Sequence, residues 1–112
     1  MFQVFQSQFS ERVPMNLAEC TSTLTQKVGA DSGLAATLKF DCGADGVVVI
    51  DGKSTPNTVD NNNRDTECTV AITLENLTAL LTGELEPVTG FMTGRFVVSG
   101  DMSVAMRLNR VV

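Results

Sequence analysis

Apolar positions along this chain change their period several times, and each change marks an element. Over residues 16–28, Leu17, Leu24 and Val28, with Ala18 and Cys20 nearby, predict an amphipathic surface helix that Gly29 stops. Asp31-Ser32-Gly33 then predicts a turn. Ala36, Leu38, Phe40 and Cys42 alternate with Ala35, Thr37, Lys39 and Asp41, the pattern of a half-buried strand. Asp45-Gly46 predicts a hairpin, and the β-branched run 47–50 supplies its antiparallel partner. Residues 53–65 are polar, with Pro56 and Asn61-Asn62-Asn63, and predict an exposed connection holding one short edge strand near Val59.

The second half repeats the change of period. Cys68, Val70 and Ile72 alternate with polar or small residues as a strand does. Thr73 or a neighbour can cap a helix striped by Leu74, Leu77, Leu80 and Leu81 and ended by Gly83. Glu86-Pro87 opens a second, short helix, because proline fits a first turn, and it carries Val88, Phe91 and Met92 up to Gly94. Phe96-Val97-Val98 predicts a last strand. Gly100-Asp101 begins a C-terminal helix on which Met102, Ala105 and Met106 recur at spacings of three and four. This order predicts an α+β layer structure, with helices packed on an antiparallel-rich sheet.

Residues 1–14 stand apart. They hold Phe2, Phe5 and Phe9, half of the six phenylalanines, and stop at Pro14 before a second methionine, Met15. An N-terminal extension or tag over 1–14, followed by the domain proper at 15–112, is the expected division. The three rings share one helical face and call for an apolar surface to lie on.

Length and charge narrow the function. A chain of 112 residues fits one domain that can bury about two thirds of its unfolded surface. The formal charge of −5 has the wrong sign for neutralising phosphates, so no nucleic acid is expected as partner. It also disfavours a polybasic membrane patch, leaving transient contact through apolar side chains. The longest apolar run, Val47-Val48-Val49-Ile50, is far shorter than the roughly 20 residues that cross a bilayer. The N-terminus has no basic n-region or apolar h-region. Cys20, Cys42 and Cys68 are odd in number and match no metal or redox spacing, which predicts reduced, core-packing thiols and a cytoplasmic protein.

Candidate chemistry subtracts further. Without histidine there is no Ser-His or Cys-His nucleophile pair and no usual zinc site. The acidic residues sit mainly in turns and helix caps, where structural roles come first. Residues 60–65 resemble a calcium loop only superficially, since Arg64 takes a ligand position and the glycine and terminal glutamate are missing. No glycine-rich phosphate loop is present, and Asn76-Leu77-Thr78 falls within a predicted helix. No enzyme activity, metal or cofactor is expected.

Residues 77–108 carry a specific pattern: Gly83, Leu85 and Pro87; Phe91; Gly94-Arg95; Gly100-Asp101-Met102; and Ala105-Met106. This stretch resembles the sterol carrier protein type 2 (SCP-2) sterol-transfer family, and the resemblance extends more weakly back to Met15. It implies a small stand-alone member with a mainly antiparallel five-stranded sheet covered on one side by helices, and an apolar cavity between the layers. It implies non-catalytic binding, and intermembrane transfer, of a sterol, fatty acid, fatty acyl-CoA or phospholipid. The sequence departs from the family at Glu84, where a lysine is usual, and at Met92, where a second phenylalanine is usual. The first change weakens any expectation of anionic head groups. The C-terminal Arg110-Val111-Val112 lacks the peroxisomal tripeptide of eukaryotic members, which points to a cytoplasmic, bacterial member.

The expected cavity wall is Leu77, Leu80 and Leu81 from the first of the tandem helices, with Phe91 and Met92 from the second. Phe96 and Val98 from the last strand and Met102, Ala105 and Met106 from the C-terminal helix complete it. On spacing alone these side chains read as an ordinary core, and the flexible methionines merely suit a wall that adapts to variable chains. The cavity follows from the resemblance. A lipid or fatty acyl ligand is therefore the expected partner of a monomer or weak dimer. The alternatives are a protein-interaction module whose groove receives the phenylalanines of residues 1–14 or a partner's peptide, and an accessory module that presents acyl-thioesters to a separate enzyme.

Overall fold

The computed structural model describes residues 15–112, so the expected extension over 1–14 lies outside the described residues. Helix α1 (Leu17–Val28) opens on a capping box: Asn16 Oδ1 accepts from the Glu19 N–H at 2.8 Å, and Glu19 Oε1 accepts from the Asn16 N–H at 2.9 Å. Cys20, Leu24 and Val28, four residues apart, form its buried stripe, and Gly29 ends it at φ +61°.

Strands β1 (Thr37–Asp41) and β2 (Val47–Asp51) pair antiparallel, followed by the short β3 (Thr58–Asp60). Then come β4 (Cys68–Ile72), helices α2 (Leu74–Thr82) and α3 (Pro87–Met92), strand β5 (Phe96–Gly100) and helix α4 (Met102–Ala105). The sheet order is β3-β2-β1-β4-β5. Thr73 caps α2 as its hydroxyl accepts from the Asn76 N–H at 3.1 Å.

The sheet is mainly antiparallel, as expected, and mixed in one place: β1 and β4 pair parallel at its centre while the other three pairings are antiparallel. A bracket of two hydrogen bonds ties the two strand starts together. The Glu67 N–H donates to Thr37 Oγ1 at 2.8 Å, and the Thr37 N–H donates to Glu67 Oε1 at 2.9 Å, leading into Leu38↔Cys68. The β1–β2 hairpin closes through a 3₁₀ turn, Gly43–Asp45, rather than a two-residue Asp45-Gly46 turn; the Asp41 carboxylate accepts from the Gly43 N–H at 2.9 Å.

Strand β2 shows no alternation: Val47, Val48, Val49 and Ile50 are all buried. Val48 and Ile50 enter the helix-covered core. Val49 faces the other way beside Lys39 and Asp60, where Lys39 Nζ donates at 2.9 Å to both Asn63 Oδ1 and the Arg64 carbonyl, drawing the polar connection over that face. The C-terminal helix is shorter than its spacing predicts. It lasts four residues before a 3₁₀ turn, Leu108–Arg110, because the chain bends to bury Leu108 and Val111, and Arg107 Nε donates to the Leu34 carbonyl at 2.9 Å.

The core lies between the sheet and its helices. Leu38, Phe40, Val48, Ile50, Cys68 and Val70 meet the buried stripe of α1 and Leu77, Leu80 and Leu81 of α2. Among the described residues, no polar or charged residue is buried and no buried side-chain N or O lacks a partner. The interior is thus built for packing, without a polar group held out of water for chemistry.

Candidate functional site

At the β5 edge the helical layer stops short of closing over the sheet. Helix α3 is tied down at both ends: the Leu85 N–H donates to the Ala79 carbonyl at 3.0 Å, and the Arg95 N–H donates to the Gly90 carbonyl at 2.9 Å. Asn76 Nδ2 donates to the Arg95 carbonyl at 2.9 Å, joining α2 to the start of β5. Phe96 pairs with Ile72 and Val98 with Val70, so both β5 side chains take the helix-covered face. Gly100 then ends the strand at φ +94°, where an added Cβ would collide with the Glu67 carbonyl oxygen. Asp101 caps α4, accepting from Ser103 N–H at 2.9 Å and Ser103 Oγ–H at 2.6 Å. Val104 points into the core, leaving Met102, Ala105 and Met106 along the opposite side.

Between α3, β5, α4 and the final turn lies an open cleft of about 430 Å³. Its base is buried Phe96 and Leu108 with half-buried Val98 and Ala105; Phe91 and Met102 form its flanks. The rim is apolar too, with Val88 at 69% and Met106 at 83% exposure. Polar side chains enter the lining only at Glu86 and Asn109. Such a surface gains free energy by covering itself with an apolar body.

Six of the ten expected wall residues come together here: Phe91, Phe96, Val98, Met102, Ala105 and Met106. Leu77, Leu80 and Leu81 do not; α2 packs beside α1 over the middle of the sheet and spends its leucine stripe on the core. Met92 does not line the cleft and is 77% exposed; α3 presents Val88 and Phe91 to its rim and flank instead. Pro87, Val88 and Leu108, with the polar pair Glu86 and Asn109, are lining residues that the sequence reading missed. Val88 could have been found from its i, i+3 spacing with Phe91. Leu108 could not, since its place depends on the bend after α4.

Other chemistry is sparse. A second depression of about 400 Å³ at the far ends of β1 and β4 carries Asp41, Asp45 and Arg95. Among the described residues, no group of three or more metal-ligating side chains exists, and no helix is long and apolar enough to cross a membrane. Cys20, Cys42 and Cys68 are free and buried. Burial pushes each thiol up, Cys42 to about 11, so they stay protonated and weakly nucleophilic.

A mixed five-stranded sheet with helices over one face, and an open apolar cleft where that cover ends, defines an α+β domain. The model of the SCP-2 sterol transfer family matches residues 23–112, and the chain belongs to that family. Sterol carrier protein 2 of Bos taurus is 31% identical over 70 residues, 62% of this chain and 13% of the bovine protein. That of Gallus gallus is 35% identical over 51 residues, 46% of this chain and 9% of the chicken protein. The chain therefore spans a small part of the length of these curated relatives. In fold it is similar to sterol carrier protein 2-like 2 from Aedes aegypti, with a TM-score of 0.71 and 23% identity over 88% of this chain and 97% of that one. It is also similar to the sterol carrier protein domain 2 of Helicoverpa armigera, with a TM-score of 0.53 and 27% identity over 80% and 70% of the two chains.

Proposed function

We propose that residues 15–112 form a carrier unit that holds one lipid by its apolar tail in the cleft beside β5 and transfers it between membranes without altering it. The cleft itself carries this reading. Its 430 Å³ lies within the range of about 300–1,000 Å³ that holds small ligands, and its lining is apolar apart from two side chains. Methionines on one flank adapt to tails of different shape at little cost. An exposed rim of Val88 and Met106 offers transient contact with a bilayer during loading. A palmitated form of the Aedes aegypti protein SCP2L2 shares the fold, with a TM-score of 0.62 and 22% identity over 87% of this chain.

The reading assigns no catalytic residue: the chain has no histidine, and its thiols are buried and protonated. Native mass spectrometry of protein purified without detergent should show one bound lipid. A pyrene-bearing long-chain alcohol should saturate a single site and move between vesicles faster when the protein is present. A folded protein that does none of these would overturn the proposal.

A further inference from the structure

We infer that Glu86 makes the cleft discriminate by head group, admitting lipids with a neutral, hydrogen-bond-donating head and rejecting those that end in a carboxylate or phosphate. This rests on the lipid-binding reading and sharpens it. An aliphatic tail lying on Phe96 and Val98 brings its polar end to whichever polar side chains the lining offers. Those are one carboxylate, Glu86, and one amide, Asn109.

Among the described residues, no cation joins them in the lining. Arg107 Nε is engaged with the Leu34 carbonyl at 2.9 Å, Arg110 lies along Gly33, and Arg95, next to Phe96, lines the second depression and not the cleft. Among the described residues, Glu86 is uncommitted. It is the N-cap residue of α3, yet its side chain makes no capping hydrogen bond, and among the described residues it takes part in no ion pair. Glu84, two residues earlier and also exposed, adds charge of the same sign. Pro87, the next residue, has no N–H to give an anion.

Two carboxylates brought together without a cation repel, whereas a hydroxyl donates to Glu86 in a charge-assisted hydrogen bond and finds a second partner in the Asn109 amide. If Glu86 were only a solvated surface acid, head-group charge would make no difference to binding at this residue.

The test is displacement of the pyrene-bearing alcohol from the full chain by 1-tetradecanol and by tetradecanoate, compared among wild type, Glu86→Gln and Glu86→Lys. Relative to wild type, Glu86→Gln should strengthen tetradecanoate about fivefold and Glu86→Lys about tenfold or more, with tetradecanol within about twofold throughout. On the wild type alone, raising the salt concentration should favour tetradecanoate selectively, because screening weakens the repulsion. An alcohol-to-acid ratio that is the same in all three proteins and indifferent to salt overturns the inference while leaving lipid binding intact. Failure of folded wild type to take up the pyrene alcohol overturns the lipid-binding reading, and this inference with it.

Discussion

Gly90 and Phe96 share a space that holds no further atom: a Cβ on Gly90 would stand 2.5 Å from Phe96 Cε2 and 3.2 Å from Leu85 Cδ2. This approach seats α3 on β5 and fixes the ring that forms the base of the cleft. Gly90→Ala should lower stability by about 1–3 kcal/mol in urea unfolding, although alanine is the better helix former by about 1 kcal/mol. Adding Phe96→Leu should cost less in that background than alone. A Gly90→Ala protein as stable as wild type would contradict the packing.

Ala105 faces the cleft with only a methyl group. Ala105→Trp fills the space from the α4 side, so uptake of the pyrene alcohol should fall by about tenfold or more while the fold survives. Circular dichroism and a fluorescence titration on the same sample check both halves. Undiminished uptake by a folded variant would place the ligand elsewhere.

The three buried thiols should resist modification. In native protein at pH 8, a disulfide reagent such as DTNB should react slowly at all three cysteines, and in denaturant it should count three at once. Fast labelling of one thiol in native conditions would mean that the core opens near it.

Acid should weaken the fold through two exposed carboxylates. Hydrogen bonds from the Ser103 side chain and N–H hold Asp101 below the ordinary aspartate range; the Thr37 N–H and then Lys53 do the same for Glu67. Because the folded values lie below the unfolded ones, this stability is fully present above about pH 4–5 and is lost as the pH falls through the folded values. The midpoint temperature should drop from about pH 5 downward. Asp101→Asn keeps a capping oxygen and should give a shallower acid limb; an unchanged limb would remove Asp101 from the account.

Local rules account for what was legible in the sequence. The stops at Gly29 and Gly83, the Thr73 cap and the Pro87 start all act within one or two turns, and the chain announces them. The parallel pairing of β1 with β4 joins residues thirty apart in the chain, as Leu38 meets Cys68, which no spacing rule expresses. Residues of the cleft divide in the same way. Phe91, Phe96 and Met106 show their apolar character along the chain, but whether a leucine stripe lines a space or fills one depends on what lies opposite. For Leu77, Leu80 and Leu81 that is α1 and the sheet.

All eleven cleft residues fall between Glu86 and Asn109, on the far side of the β1–β4 seam from α1, β2 and β3. One uninterrupted stretch of chain therefore supplies every described residue that lines the cleft, and on the proposed reading the first half of the domain serves as its chassis. Recombining that stretch as a single cassette from other members of the family should exchange ligand preference in one step, with the capping box of α1 and the β1–β2 hairpin left as they are.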